Sequence, residues 1–298
     1  MPERVKGFAN ERTKLVDELI AQLETSVTKA QDKAHRRMLN EFVDKLDVKD
    51  GRIQNTAKNR RLLNTVDAVF TQFQTSEGIT MLNQVVTGVE SILTFNKNYF
   101  EAIGEVRLID LDKNIRSQMN DWLGIEKGGK LAKNGYLSKI ITDTSIRNEV
   151  KTLAVKNIIA QSGFFETKKS IEGLIVGTEK RKLGILQKYY RNFVYDTYST
   201  VDRLVGVQYA NELGYVFAVY EGGLIKSSRQ FCIERNGKVF HTTEIETFDP
   251  PVAKQPNYNP FTDLGGYACR HHLNWVSTKL AKYLGKDVES FISLGNNK

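Results

Sequence analysis

Hydrophobic residues from Val5 to Leu46 recur at steps that are nearly all three or four: Phe8, Leu15, Leu19, Leu23, Val27, Ala30, Ala34, Met38, Phe42 and Leu46. No proline or glycine interrupts them after Gly7, so the spacing predicts one helix over residues 5–46, about 60 Å long at 1.5 Å per residue. It should end near Lys49-Asp50-Gly51, where the glycine can take a left-handed cap. A second helical pattern (Ala57, Leu62, Leu63, Val66, Val69, Phe70, Phe73) breaks at Thr75-Ser76-Glu77-Gly78, and a third runs from Ile79 through Leu82, Val85, Val89 and Ile92 to Tyr99. Long helices with short connections pack antiparallel. The first hundred residues therefore read as an elongated helical hairpin or bundle without a sheet, its Leu15, Leu19, Leu23 and Val27 face lying on the helices after residue 55.

Shorter helices are expected at about 109–123, 143–161 and 165–176, separated by Gly124, Gly128-Gly129, Gly135 and Gly163. Leu183, Leu186, Tyr190, Phe193, Val194, Thr197, Val201, Leu204, Val205 and Gln208 mark another long helix ending at Gly214, and its aromatic residues read as core. After Gly214 the period changes. Tyr215 to Tyr220 reads as a strand bounded by Glu221-Gly222-Gly223, Asn236-Gly237 is the strongest hairpin signal, and Lys238-Val239-Phe240 reads as the returning strand. Residues 247–264 hold four of the five prolines and should be a loop; a last helix is expected around Trp275 to Leu284. The fold class is mainly α, an elongated N-terminal helical bundle with a small C-terminal α+β module, and residues 215–245 supply its sheet. Consecutive regions are expected: a long-helix arm at 1–125, a basic helical region at 126–182, and the C-terminal module at 183–298.

At 298 residues, with 40% hydrophobic and 26% charged positions, the chain can bury one large core or two smaller ones. No run approaches the roughly eighteen apolar residues of a membrane span. Residues 1–10, carrying Glu3, Arg4 and Lys6, lack the apolar core of a signal peptide. Synthesis in a cytoplasm and no membrane partner are expected. Two cysteines are too few for a disulfide framework. The formal net charge of +8 is local: residues 126–192 hold 14 Lys and Arg against 6 Asp and Glu. Lys151, Lys156, Lys168, Lys169, Lys180, Arg181 and Lys182 are the candidate contacts there. Such a field suits nucleic acid or an acidic protein surface, and equally a solvated helical face.

Five of the six Cys and His residues fall between Cys232 and His272. Cys232, His241, Cys269 and His271 offer thiolate and imidazole donors of the kind zinc takes, although there is no Cys-x-x-Cys pair and Cys269-Arg270-His271 would have to serve one ion from positions two apart. A zinc site, a buried cysteine pair beside hydrogen-bonded histidines, and a cysteine nucleophile with a histidine base all remain open. No other cofactor is expected: Gly222-Gly223 and Gly265-Gly266 lack a P-loop lysine pattern, and no enzymatic signature is present.

Several short blocks follow one another in an unusual order: Tyr209-Ala210-Asn211-Glu212-Leu213-Gly214, a strand, Ser228-Arg229-Gln230-Phe231-Cys232, Asn236-Gly237-Lys238-Val239-Phe240, and Gly265-Gly266-Tyr267-Ala268-Cys269-Arg270-His271. Over about residues 195–276 the chain resembles the head morphogenesis domain of phage minor head proteins, the Mu F-like family. Many members carry two cysteines around the arginine of the first Cys block and read Pro-Asn-Cys-Arg-Cys in the last. Here one cysteine remains in each, and His271 stands where the final Cys would be. The resemblance implies a non-enzymatic virion component at the portal vertex of a tailed-phage head, acting in head morphogenesis and in DNA packaging or ejection. Its implied partners are the portal protein, other capsid or neck proteins, and DNA. Arg229, Cys232, Gly237, Cys269, Arg270 and His271 would form a folding clamp, with the two cysteines close together and Arg270 paired to a carboxylate or carbonyls. Two further readings are an effector enzyme delivered with the genome and a coiled-coil adaptor unrelated to phage.

Overall fold

A computed structural model describes residues 2–104, 107–178 and 182–291. The chain is mainly helical with a small C-terminal sheet. Helix α1 (Pro2–Arg37) ends in the basic residues His35, Arg36 and Arg37, and the arginine charges suit a helix C-terminus. It runs on through a π turn (Met38–Phe42) and a 3-10 turn (Val43–Lys45), close to the expected end. Strands β1 (Val48–Lys49) and β2 (Arg52–Ile53) form a hairpin, so the expectation of no sheet in the first hundred residues fails. The reason lies in Asp50 and Gly51, which take φ of +51° and +74°. Two successive positive φ values make a tight hairpin turn, where the sequence suggested a helix cap.

Helix α2 (Ala57–Phe73) is capped by the Thr56 side chain, which accepts from the Asn59 amide at 3.2 Å. A π turn (Gln74–Gly78) joins it to α3 (Ile79–Gly104). There follow α4 (Ile109–Leu123), a short α5 (Lys139–Thr142), α6 (Ser145–Ile159) and α7 (Phe164–Val176). A two-residue pair, β3 (Gly177–Thr178) and β4 (Lys182–Leu183), precedes the long α8 (Ile185–Glu212). The C-terminal part contains β5 (Phe217–Glu221), α9 (Gln230–Arg235), β6 (Lys238–His241), α10 (Thr242–Ile245), β7 (His272–Val276) and α11 (Thr278–Tyr283). Its sheet has the order β6-β5-β7, antiparallel throughout.

Three expectations need correction here. The sheet is not confined to 215–245, because His272–Val276 forms its third strand and the last helix begins only at Thr278. Every residue of β7 is buried, so it shows no alternation to betray a strand. Asn236-Gly237 is not a two-residue hairpin loop: α9 intervenes between the strands, and Gly237 (φ +79°) turns the chain from helix to strand while its N–H donates to the Tyr220 carbonyl at 2.7 Å. Nor are the compact units three consecutive stretches. One comprises residues 1–19, 87–123 and 194–298, the other residues 20–86 and 124–193. Helical periodicity shows which face of a helix is buried, not which neighbour buries it.

In the first unit, aromatic rings and a buried polar chain hold the helices. Arg12 donates to Asn96 at 3.1 Å, Asn96 donates to Asp202 at 2.9 Å, and Arg12 lies 3.6 Å from the Asp202 carboxylate. Tyr99 donates to the Trp275 carbonyl at 2.7 Å, tying α3 to β7. Tyr198 and Tyr209 of α8 are fully buried, as core residues should be.

In the second unit α2 packs on α6. Asp67 meets Arg147 at 3.6 Å and Lys151 at 2.5 Å, and Arg37 grips the Glu77 carboxylate with two hydrogen bonds of 3.2 Å. Of the helix face expected to pack after residue 55, Leu23 and Val27 are buried within this unit, whereas Leu15 and Leu19 are half-buried and belong to the first. The second unit holds 24 Lys and Arg against 14 Asp and Glu; the first holds 19 against 21. The basic excess is therefore a property of one compact unit.

Candidate metal centre in the C-terminal module

The central strand β5 presents Tyr220, whose register partners are Lys238 on β6 and Leu273 on β7. Helix α9 starts after Arg229 and places Cys232 in its first turn, buried. Cys269 and His271 come from the segment entering β7, and both are buried. These pieces converge. The two sulfurs are 3.9 Å apart, the Cys269 sulfur lies 3.7 Å from His271 Nδ1, and the cysteines are free thiols. The Tyr220 hydroxyl donates to the Cys232 sulfur at 3.4 Å and lies 3.8 Å from that of Cys269, while its ring stacks on His271 at 4.9 Å between centroids. One ligand atom from each of Cys232, Cys269 and His271 lies within 4.8 Å of the others, a set able to hold a metal ion.

Backbone and arginines build this arrangement. A Cβ at Gly265 would stand 2.5 Å from the Cys232 sulfur and 3.0 Å from that of Cys269, so only glycine lets the chain pass over the pair. Arg229 donates to the carbonyls of Gly265 and Tyr267, and Arg270 pairs with the Asp17 carboxylate at 2.5 Å. Arg203, on α8 and buried, donates to the carbonyls of Thr262 (2.7 Å), Cys269 (2.5 Å) and His271 (2.8 and 3.0 Å). Asp196, also on α8, accepts the Ala268 amide, and burial raises its carboxyl above the usual range. One guanidinium thus ties down two of the three residues that carry ligand atoms, Cys269 and His271.

The thiols differ in acidity. The sulfur-sulfur hydrogen bond holds Cys269 well below the ordinary thiol value, with further help from His271 and Arg203 against its burial. The same bond, with burial, pushes Cys232 up. Burial also pushes up the Tyr220 phenol.

The expected neighbours Cys232, Cys269, His271 and Arg229 are brought together, and Arg270 finds the carboxylate expected of it. His241 does not join them. It pairs with Phe217 at the other end of β5, caps α10 and stacks on Phe291 at 4.7 Å, so it drops out of the ligand set. His272 lies opposite Glu221 in the register and is buried. Burial, then the charges of Arg12 and Arg203, hold its imidazole well below its ordinary value. Sequence reasoning missed Tyr220, Arg203 and Asp196. Tyr220 was visible as the last residue of a strand; nothing marks Arg203 or Asp196 on a helix 60 or more residues upstream.

The basic candidates separate in a different way. Lys151 pairs with Asp67, and Lys168 lies 3.5 Å from Asp44, so both are offset inside the second unit. Lys156 and Lys169 are exposed and line an open groove of about 770 Å³ between α6 and α7, floored by Leu153, Gly173 and Leu174. Lys180 and Arg181 lie outside the described residues; Lys182 is described in its backbone alone. No helix among the described residues is long and apolar enough to cross a membrane. Comparison of the chain with protein-family profiles, curated proteins and solved structures finds no match.

Proposed function

We propose that this chain is a minor structural protein of a tailed-phage virion, seated at the portal vertex and acting in head morphogenesis and DNA packaging or delivery without chemistry of its own. The observation that carries the reading is the meeting of the sequence blocks. Arg229 and Cys232 from one and Gly265, Tyr267 and Cys269 from another close on each other, although more than thirty residues separate them. Gly237, from the third block, is hydrogen-bonded to the strand that carries Tyr220. A clamp of this kind lets a small module keep its fold. The concentration of positive charge in the second unit supports a polyanionic partner, DNA or an acidic portal surface, met through Lys156 and Lys169 and helped by Lys180, Arg181 and Lys182.

Immunogold labelling of particles released from the organism carrying the gene tests the location. Label at a single vertex is the expected result, and unlabelled particles would end the virion reading. DNA retention of the purified chain tests the charge. Phosphate contacts release counterions, so binding should weaken steeply with salt, and replacing Lys156 and Lys169 by glutamine should reduce the slope by about two. Replacing Lys226 and Lys279 of the first unit removes the same charge and should leave the slope unchanged.

A further inference from the structure

The converging donors of the C-terminal module have the dimensions of a coordination shell. A tetrahedral ion at about 2.3 Å from sulfur and about 2.05 Å from nitrogen needs sulfur-sulfur edges of about 3.8 Å and sulfur-nitrogen edges of about 3.6 Å. Two of the three edges here are 3.9 Å (sulfur to sulfur) and 3.7 Å (Cys269 to His271 Nδ1), and the third, from Cys232 to His271, falls within 4.8 Å. We propose that Cys232 Sγ, Cys269 Sγ and His271 Nδ1 hold one zinc ion, with its fourth position open to solvent.

Three further features support the assignment. A cavity of about 240 Å³ lined by Ser228, Arg229, Cys232, Ala268, Cys269 and His271 gives the ion a route in and solvent a place beside it. The segment carrying two of the donors is held against its own backbone preference: Leu264 and Ala268 take φ of +48° and +53°, uncommon for residues with side chains. The guanidinium of Arg203 and that of Arg229 keep that segment in place through its carbonyls, and the Tyr220 hydroxyl orients the sulfurs. A metal site needs such outer partners to fix its ligands. As the ion binds, both thiols lose their protons to solvent and His271 coordinates as neutral imidazole, so uptake releases protons.

This assignment is independent of the virion reading: labelled particles with no zinc, or zinc without labelled particles, would separate the two. The full chain, reduced and freed of metal with a chelator, is titrated with cobalt(II) and then zinc(II). The expected result is one cobalt per chain with tetrahedral ligand-field bands and a sulfur charge-transfer band, all displaced by zinc. Azide should shift the cobalt spectrum by entering the fourth position; a spectrum blind to azide would overturn the open position. Cys269→Ser and His271→Ala should each weaken zinc at least about 100-fold, and His241→Ala should leave it unchanged. His271→Cys keeps a donor and should retain the metal, which separates loss of a ligand from loss of the fold. A wild-type chain without the cobalt bands, or zinc binding that survives Cys269→Ser, would overturn the site.

Discussion

The two units use polar side chains in different proportions. Of the sixteen buried polar residues among those described, eleven belong to the first unit, among them Arg12, Asn96, Asp202, Arg203, His271 and His272. The second unit buries fewer, Glu77, paired with Arg37, among them, and keeps Lys151 with Asp67 and Lys168 with Asp44 in partly solvated positions. A buried polar group must find its partner or lose the energy of its hydration, so it singles out one arrangement of its neighbours. A partly solvated pair contributes little to stability and leaves the field of the surface free to vary. The first unit is specified from inside. The second can carry a charge excess at small cost to its fold.

The contrast can be broken most severely at Asp202. Asp202→Ala leaves the buried Arg12 guanidinium without its carboxylate, and should cost about 3 to 5 kcal/mol in urea unfolding. Arg203→Met comes next: it strips donors from three buried carbonyls, and a loss of about 3 kcal/mol is expected, with amide exchange accelerated in Phe217–Glu221 before it changes in α6.

A smaller effect is expected from pH. His272 is held neutral in the fold but takes up a proton at about 6.5, the ordinary imidazole value, once unfolded. Its contribution is therefore complete above 6.5 and is lost as pH falls below that value, because the unfolded chain then binds the extra proton. His272→Gln should flatten the fall of stability between about pH 7 and 5.5 by about 1 kcal/mol. Lys151→Gln should do least, costing under about 1 kcal/mol in the same assay. A loss at Lys151 as large as that at Asp202 would erase the distinction between the units.

Much of this was legible in the residues. Steps of three and four located the long helices, because an amphipathic stripe needs no knowledge of its partner. Cys232 and Cys269, expected close together, have their sulfurs 3.9 Å apart. The two Asx-Gly dipeptides exchanged roles: Asp50-Gly51 makes the hairpin and Asn236-Gly237 the helix exit. Glycine supplies a positive φ in both settings, and what lies on either side decides between them. His241 and His271 are the same residue type within one window, yet His241 pairs with Phe217 at one end of β5 while His271 stacks on Tyr220 near the other. Arg203 was invisible because a buried arginine on a helix has the spacing of an exposed one.

The interleaving of the units also sets an order in time. As the chain leaves the ribosome, every residue of the second unit is present once Phe193 has emerged. The first unit must wait. Asp17 meets a partner 253 residues later in Arg270, and Tyr99 meets the Trp275 carbonyl 176 residues on. Contacts so distant in sequence close large loops and form late. The basic unit therefore completes its fold while the segments that will close the cysteine cluster are still being synthesised, and a ribosome stalled after about residue 240 would present a finished second unit beside an unfinished first.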